Sequence, residues 1–170
     1  MHQGARAAVA AINAKGGVQG RAIELATLDD AYEVPKALAN VDRFLADSSY
    51  FALFNCMGTP MIDAMLPKVI ESGIPFFAPF TGAQLSRTKT ARNVFNIRAS
   101  YADEAEKLVQ HLSTIGIQRI GIAYQNNSFG KEVLQGAQQA VADAKLPAPI
   151  ATTVENDASD ADKAARSLSE

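Results

Sequence analysis

The chain has 170 residues, 48% hydrophobic and 20% charged, with no tryptophan, an ordinary globular composition with apolar material for one sizeable core or two small ones. A net charge of -2 without a long run of one sign leaves no electrostatic footprint for nucleic acid or an anionic membrane. One cysteine and two histidines exclude an internal disulfide framework and argue against a metal site.

The first fifteen residues, MHQGARAAVAAINAK, lack the basic start and continuous apolar stretch of a secretory signal, and no window reaches the ~18 apolar residues of a membrane span. They show helical spacing instead, with Ala5, Ala8, Val9 and Ile12 on one face and Lys15-Gly16-Gly17 as a basic last turn and glycine stop. Gly20-Arg21 marks a turn, residues 22–28 a strand ending in Asp29-Asp30, and residues 34–47 a second amphipathic helix. Residues 51–56 form a short apolar run without helical period, expected as a strand buried on both faces of a parallel sheet. Met57-Gly58 breaks it. Thr59-Pro60 predicts a helix starting at Pro60 with threonine as its N-cap, an apolar face through Ile62, Met65, Leu66, Val69 and Ile70, a kink at Pro67 and a stop at Ser72-Gly73. Residues 75–79 give the next strand, running into Phe80-Thr81-Gly82.

Beyond a polar basic loop at 86–92, residues 94–99 read as a strand and Ser100-Tyr101-Ala102-Asp103 as a capping-box variant, with Glu104 and Glu106 adding charge favourable to that helix start. The helix continues to Gly116. A strand at 119–124, a polar loop at 125–128, a helix at 130–144, a strand at 150–154 and an amphipathic segment at 160–168 complete the chain. Alternating helices and strands predict an α/β fold, a parallel sheet with helices on both faces. A second run of strand and helix divides the chain into residues 1–99 and 100–170.

Two predicted strands end in Gly58-Thr59 and Thr81-Gly82, on the edge of an open α/β sheet where ligands bind. A carboxylate is well held there by backbone amides at a helix N-terminus, assisted by a hydroxyl. Thr59 serves as ligand contact or as helix cap, and Thr81 as ligand contact or turn residue. No catalytic constellation is present. Cys56 reads as a small buried hydrophobe, neither histidine has a supporting acid motif near it, and His111 falls mid-helix as a solvated residue. Asp29-Asp30 ends a strand as a ribose-binding acid would, but the glycine-rich turn after a first strand is missing: Gly16-Gly17-Val18-Gln19-Gly20 follows a helix instead. No cofactor is expected.

The stretches AAINAKGGVQGRAIEL and LDDAYEVPKALAN, the strand ending in GTP, SGIPFFAPFTGAQL, VFNIRASYADEA and RIGIAYQNNSFGKEVL occur in this order. Together they resemble the type I periplasmic binding proteins, in particular the branched-chain amino-acid binding family of ABC importers. The resemblance implies two α/β lobes closing on a ligand in the cleft between them. It also implies a first strand, lying between the strands equivalent to residues 22–28 and 51–56, which this sequence lacks, so a fragment is expected: an incomplete first lobe at 1–99 and the beginning of a second at 100–170. By the same resemblance, Gly58, Thr59, Phe80 and Thr81 form two ligand loops, Phe129 matches an aromatic reaching across the cleft, and Tyr101 stands just past the hinge. For Phe129 a hydrophobic staple and for Tyr101 an exposed helix position are the alternatives. The implied function is non-enzymatic amino-acid transport: capture of a small amino acid or related carboxylate in the periplasm and delivery to a membrane permease. The same fold also serves as a sensory ligand-binding domain, and a flavodoxin-like or Rossmann-like enzyme is the remaining reading.

Overall fold

A computed structural model of the chain describes residues 2–169. The order is α1 (His2–Ala14), α2 (Val34–Ala46), β1 (Leu53–Phe54), α3 (Thr59–Ser72), β2 (Phe76–Phe77), a short 3₁₀ helix (Gln84–Arg87), β3 (Val94–Phe95), α4 (Tyr101–Thr114), β4 (Gly121–Gln125), α5 (Ser128–Asp143), β5 (Ile150–Val154) and α6 (Ala161–Ser169). Two parallel sheets result, one ordered β1-β2-β3 and one pairing β4 with β5. The α/β class read from the alternation is the class observed. Among the described residues no helix is long and apolar enough to cross a membrane.

The core sits beneath the first sheet. Leu53, Phe76 and Val94 point inward onto Ile62, Met65 and Val69 of α3 and Ala37 and Val41 of α2, as helical and strand periods require. A second, smaller cluster joins Val109 of α4 to Ala140 and Val141 of α5. Local signals hold at several termini. Ser100 and Asp103 close a reciprocal capping box on α4, and Gly73, at φ 68°, terminates α3 in the left-handed conformation. α5 starts at Ser128, two residues before Gly130, because the Asn127 carboxamide oxygen accepts from the Gly130 amide and caps it.

Three expectations need correction. The strand read at 22–28 does not form: the segment has no ladder, and the side chain of Asn13 fastens it instead, donating to the Ile23 carbonyl and accepting from the Ile23 amide at 2.8 Å each. A strand exists only with a backbone partner, and residues 25–30 and 54–57 line one cavity of about 270 Å³, while β1 pairs with β2. Nor is the strand at 51–56 buried on both faces. Leu53 is inside, but Phe51 and Phe54 are exposed, and Phe77 and Phe95 continue the outward row as a stacked pair 4.8 Å apart. The polar loop read at 86–92 begins inside the 3₁₀ helix, where the Ser86 hydroxyl donates to the Ala83 carbonyl and to Asn96. Glu104 stands in the first turn of α4 as expected, and its carboxylate also pairs with Arg98 at 2.7 and 2.9 Å.

Candidate functional site

β1 and β2 continue past their ladders into one parallel bridge, Met57 to Phe80. The Phe80 amide donates to the Cys56 carbonyl at 2.8 Å and the Gly58 amide to the Phe80 carbonyl at 3.3 Å. This bridge brings the two predicted loops side by side. Thr59 Oγ1 then lies 2.8 Å from Thr81 Oγ1, and the Tyr101 phenol closes a triangle, 3.1 Å from Thr59 and 3.3 Å from Thr81. Thr59, Thr81 and Tyr101 are 1%, 0% and 4% exposed, so the three hydroxyls satisfy one another out of water, as buried polar groups must.

Thr59 is therefore not the N-cap read from Thr-Pro. Gly58 holds that position at φ 98° without a side-chain cap, Thr59 is already helical, and its hydroxyl turns to Thr81 and Tyr101. Consequently the amides of Thr59 and Met61, at the amino end of α3, and of Gly82 find no acceptor among the described residues. Amides left so are a source of positive potential.

Tyr101 is not an exposed helix position. Its amide donates to the Gly82 carbonyl at 2.9 Å, and a β-carbon on Gly82 would fall 2.6 Å from its ring, so only glycine admits the ring against the loop. Phe129, half-buried at the start of α5, meets Tyr101 edge to face with centroids 5.2 Å apart. All six candidates, Gly58, Thr59, Phe80, Thr81, Tyr101 and Phe129, thus fall in one contiguous region.

Three further residues of this region were not identified from sequence. Arg98 places its guanidinium 5.0 Å from the Phe80 ring centre and 5.3 Å from that of Tyr101, a cation–π arrangement; its signal was a lone arginine two residues before the capping box. Glu132 on α5 accepts from the Gln84 amide at 2.6 Å, tying α5 to the 3₁₀ helix. Tyr32 reaches the region through a turn described below.

The nucleophile chemistry weighed at Cys56 is opposed by its surroundings. Burial first, and the charge of Asp30 second, push its thiol up to about 11, the reverse of what a reactive thiolate needs. His111 is exposed on α4. Among the described residues no group of three His, Cys, Asp or Glu side chains is placed to hold a metal ion.

Two strand ends carrying hydroxyls meet at one sheet edge, the edge at which open α/β sheets bind ligands. The chain belongs to the periplasmic binding protein family, which matches residues 1–170, a family of binding proteins rather than catalysts. No curated protein matches the sequence. Solved structures do. A substrate-binding periplasmic protein from Ralstonia solanacearum shares 29% identity at a TM-score of 0.83, over 92% of this chain and 44% of its own. A possible leucine/isoleucine/valine-binding protein from Rhodopirellula baltica shares 27% at 0.83, over 95% and 45%. An ABC transporter substrate-binding protein from Desulfitobacterium hafniense in complex with Leu has the same fold, at 24% identity and a TM-score of 0.72, over 89% and 44%. The chain spans less than half the length of each.

Proposed function

We propose that the protein carrying this sequence captures a small carboxylate, foremost an amino acid, between lobes formed by residues 1–99 and 100–170, and delivers it in the periplasm to the membrane permease of an ABC importer. One observation carries this reading: the Thr59 and Thr81 hydroxyls meet at 2.8 Å at one sheet edge, in loops whose Thr59, Met61 and Gly82 amides have no acceptor among the described residues. Such a set is complementary to a carboxylate, whose lone pairs need several donors and whose charge is favoured at a helix N-terminus. Tyr101 completes the hydroxyl triangle, and in this reading a carboxylate oxygen takes the place of its phenol. Tyr101 and Phe129 come from the chain beyond residue 100 and offer rings with little entropy to lose. The names of the neighbours from Rhodopirellula baltica and Desulfitobacterium hafniense favour an amino acid with an apolar side chain.

The test is calorimetric titration of the full-length protein with a panel of amino acids. Thr59→Val and Thr81→Val each keep shape but remove the donor, and each is expected to weaken binding by roughly 1–3 kcal/mol. Unchanged affinity in both variants, for an amino acid the wild type binds, would sink the assignment.

A further inference from the structure

The turn Asp29-Asp30-Ala31-Tyr32 holds an unfavourable conformation. Ala31 and Tyr32 have φ of 50° and 60°, in the left-handed region that a bulky residue rarely enters. Two carboxylates impose it: Asp29 Oδ1 accepts from the Ala31 amide at 2.9 Å and Asp30 Oδ1 from the Tyr32 amide at 2.8 Å. Asn40 of α2 secures the base by donating to the Asp29 carbonyl at 3.2 Å. Strain of this kind persists where surrounding structure over-determines it.

The conformation delivers the Tyr32 ring to the amino end of α3. A β-carbon built on Gly58 would lie 2.8 Å from Tyr32 Cε2, so the ring occupies the space that any side chain at 58 would need. Gly58 immediately precedes Thr59, one of the free amides. Tyr32 is 37% exposed whereas Thr59 is 1% exposed; the ring meets solvent and the hydroxyl does not. Its phenol also lies near enough to Tyr101 and Asp30 that their charges, after burial, raise its ionisation above the ordinary value.

We infer that Tyr32 is a positioning and selectivity residue of the carboxylate site, its ring forming the wall along which the apolar tail of the ligand lies while the carboxylate turns inward to the α3 amides. The inference rests on the site proposed above and assigns to Tyr32 the discrimination of carboxylates with an apolar tail from those with none. Contact between ring and tail contributes only when there is a tail, because burial scales with apolar area.

Matched probes separate this role from a merely structural one. In the full-length protein, leucine is titrated against glycine and benzoate against acetate, with wild type, Tyr32→Ala and Tyr32→Phe. Tyr32→Ala is expected to weaken the tailed member of a binding pair about tenfold while leaving its tail-less partner within about twofold, and Tyr32→Phe to retain wild-type discrimination. Equal loss for both members, or no loss for either, overturns the inference. If Thr59→Val and Thr81→Val weaken binding while Tyr32→Ala does not, Tyr32 alone was misassigned. If neither pair binds the wild type, the carboxylate site falls and the inference with it. Thermal unfolding of each variant accompanies the titrations, and a large drop for Tyr32→Ala that Tyr32→Phe does not share, with no change in discrimination, counts against it.

Discussion

The two sheets reach order by opposite means. The first has strands of two residues, yet its own Phe76 and Ile62 and Val69 beneath it have 0% exposure; the second has a five-residue ladder between β4 and β5, but among the described residues its buried cluster is just Val109, Ala140 and Val141. Side-chain packing holds one and backbone pairing the other. The lesson is that strand length does not measure how deeply a sheet is anchored. The hydroxyl triangle belongs to the densely packed side, and its third member, Tyr101, comes from the helix that follows.

That contrast can be broken most sharply at Phe76. Phe76→Ala should cost about 3–5 kcal/mol, since the ring is fully enclosed by α2 and α3, whereas Val141→Ala should cost about 2 kcal/mol in the shallower cluster. Chemical denaturation of both variants checks the order, and a larger loss for Val141→Ala would reverse the comparison. Tyr101→Phe comes next. It removes one corner of the triangle and leaves Thr59 and Thr81 bonded at 2.8 Å, so a loss of only about 1 kcal/mol is expected.

Hydrogen exchange sharpens the comparison within the backbone itself. The amides of residues 24–28 have no backbone acceptor among the described residues and should exchange early, while those of Ile122 to Tyr124, inside the longer ladder, should be protected. Comparable protection in the two segments would mean that residues 24–28 have found a partner. The smallest effect is expected with pH. Hydrogen bonds from the Ser100 side chain and amide hold the Asp103 carboxyl below its ordinary 3.8. A depressed folded-state value means that the contribution is present above 3.8 and is lost as pH falls through the folded value. Asp103→Asn should therefore flatten the acid limb of the stability profile slightly, and an unaltered limb would show the box to be without consequence for stability.

Much of this architecture was legible in residue order. Helix boundaries carried by local chemistry, such as the Ser100–Asp103 box and the Gly73 stop, needed no tertiary partner to be read. Thr59 was misread as a cap because Thr-Pro states a local preference, and the competing bonds come from Thr81 and Tyr101, 22 and 42 residues away. The strand at 22–28 failed for a related reason: its sequence has strand character, but pairing is a property of two segments. Tyr32 escaped notice because Asp29-Asp30 reads as a strand end with a candidate ribose-binding acid, while the seat of the ring is set by the absence of a side chain at Gly58. The juxtaposition of Gly58-Thr59 with Thr81-Gly82 was readable because parallel α/β strands present their carboxyl ends on one edge.

Residues 24–28 carry a consequence beyond the fold. Their free backbone groups border a cavity shared with the exposed Phe54, the kind of edge at which two copies of a chain pair. What holds such copies apart in solution is charge, and here the formal net charge is only -2 with a sequence pI of about 5.7. Mildly acidic buffer removes even that repulsion. Self-association through this edge is therefore expected to rise as pH approaches the isoelectric point, and light scattering across that range checks it.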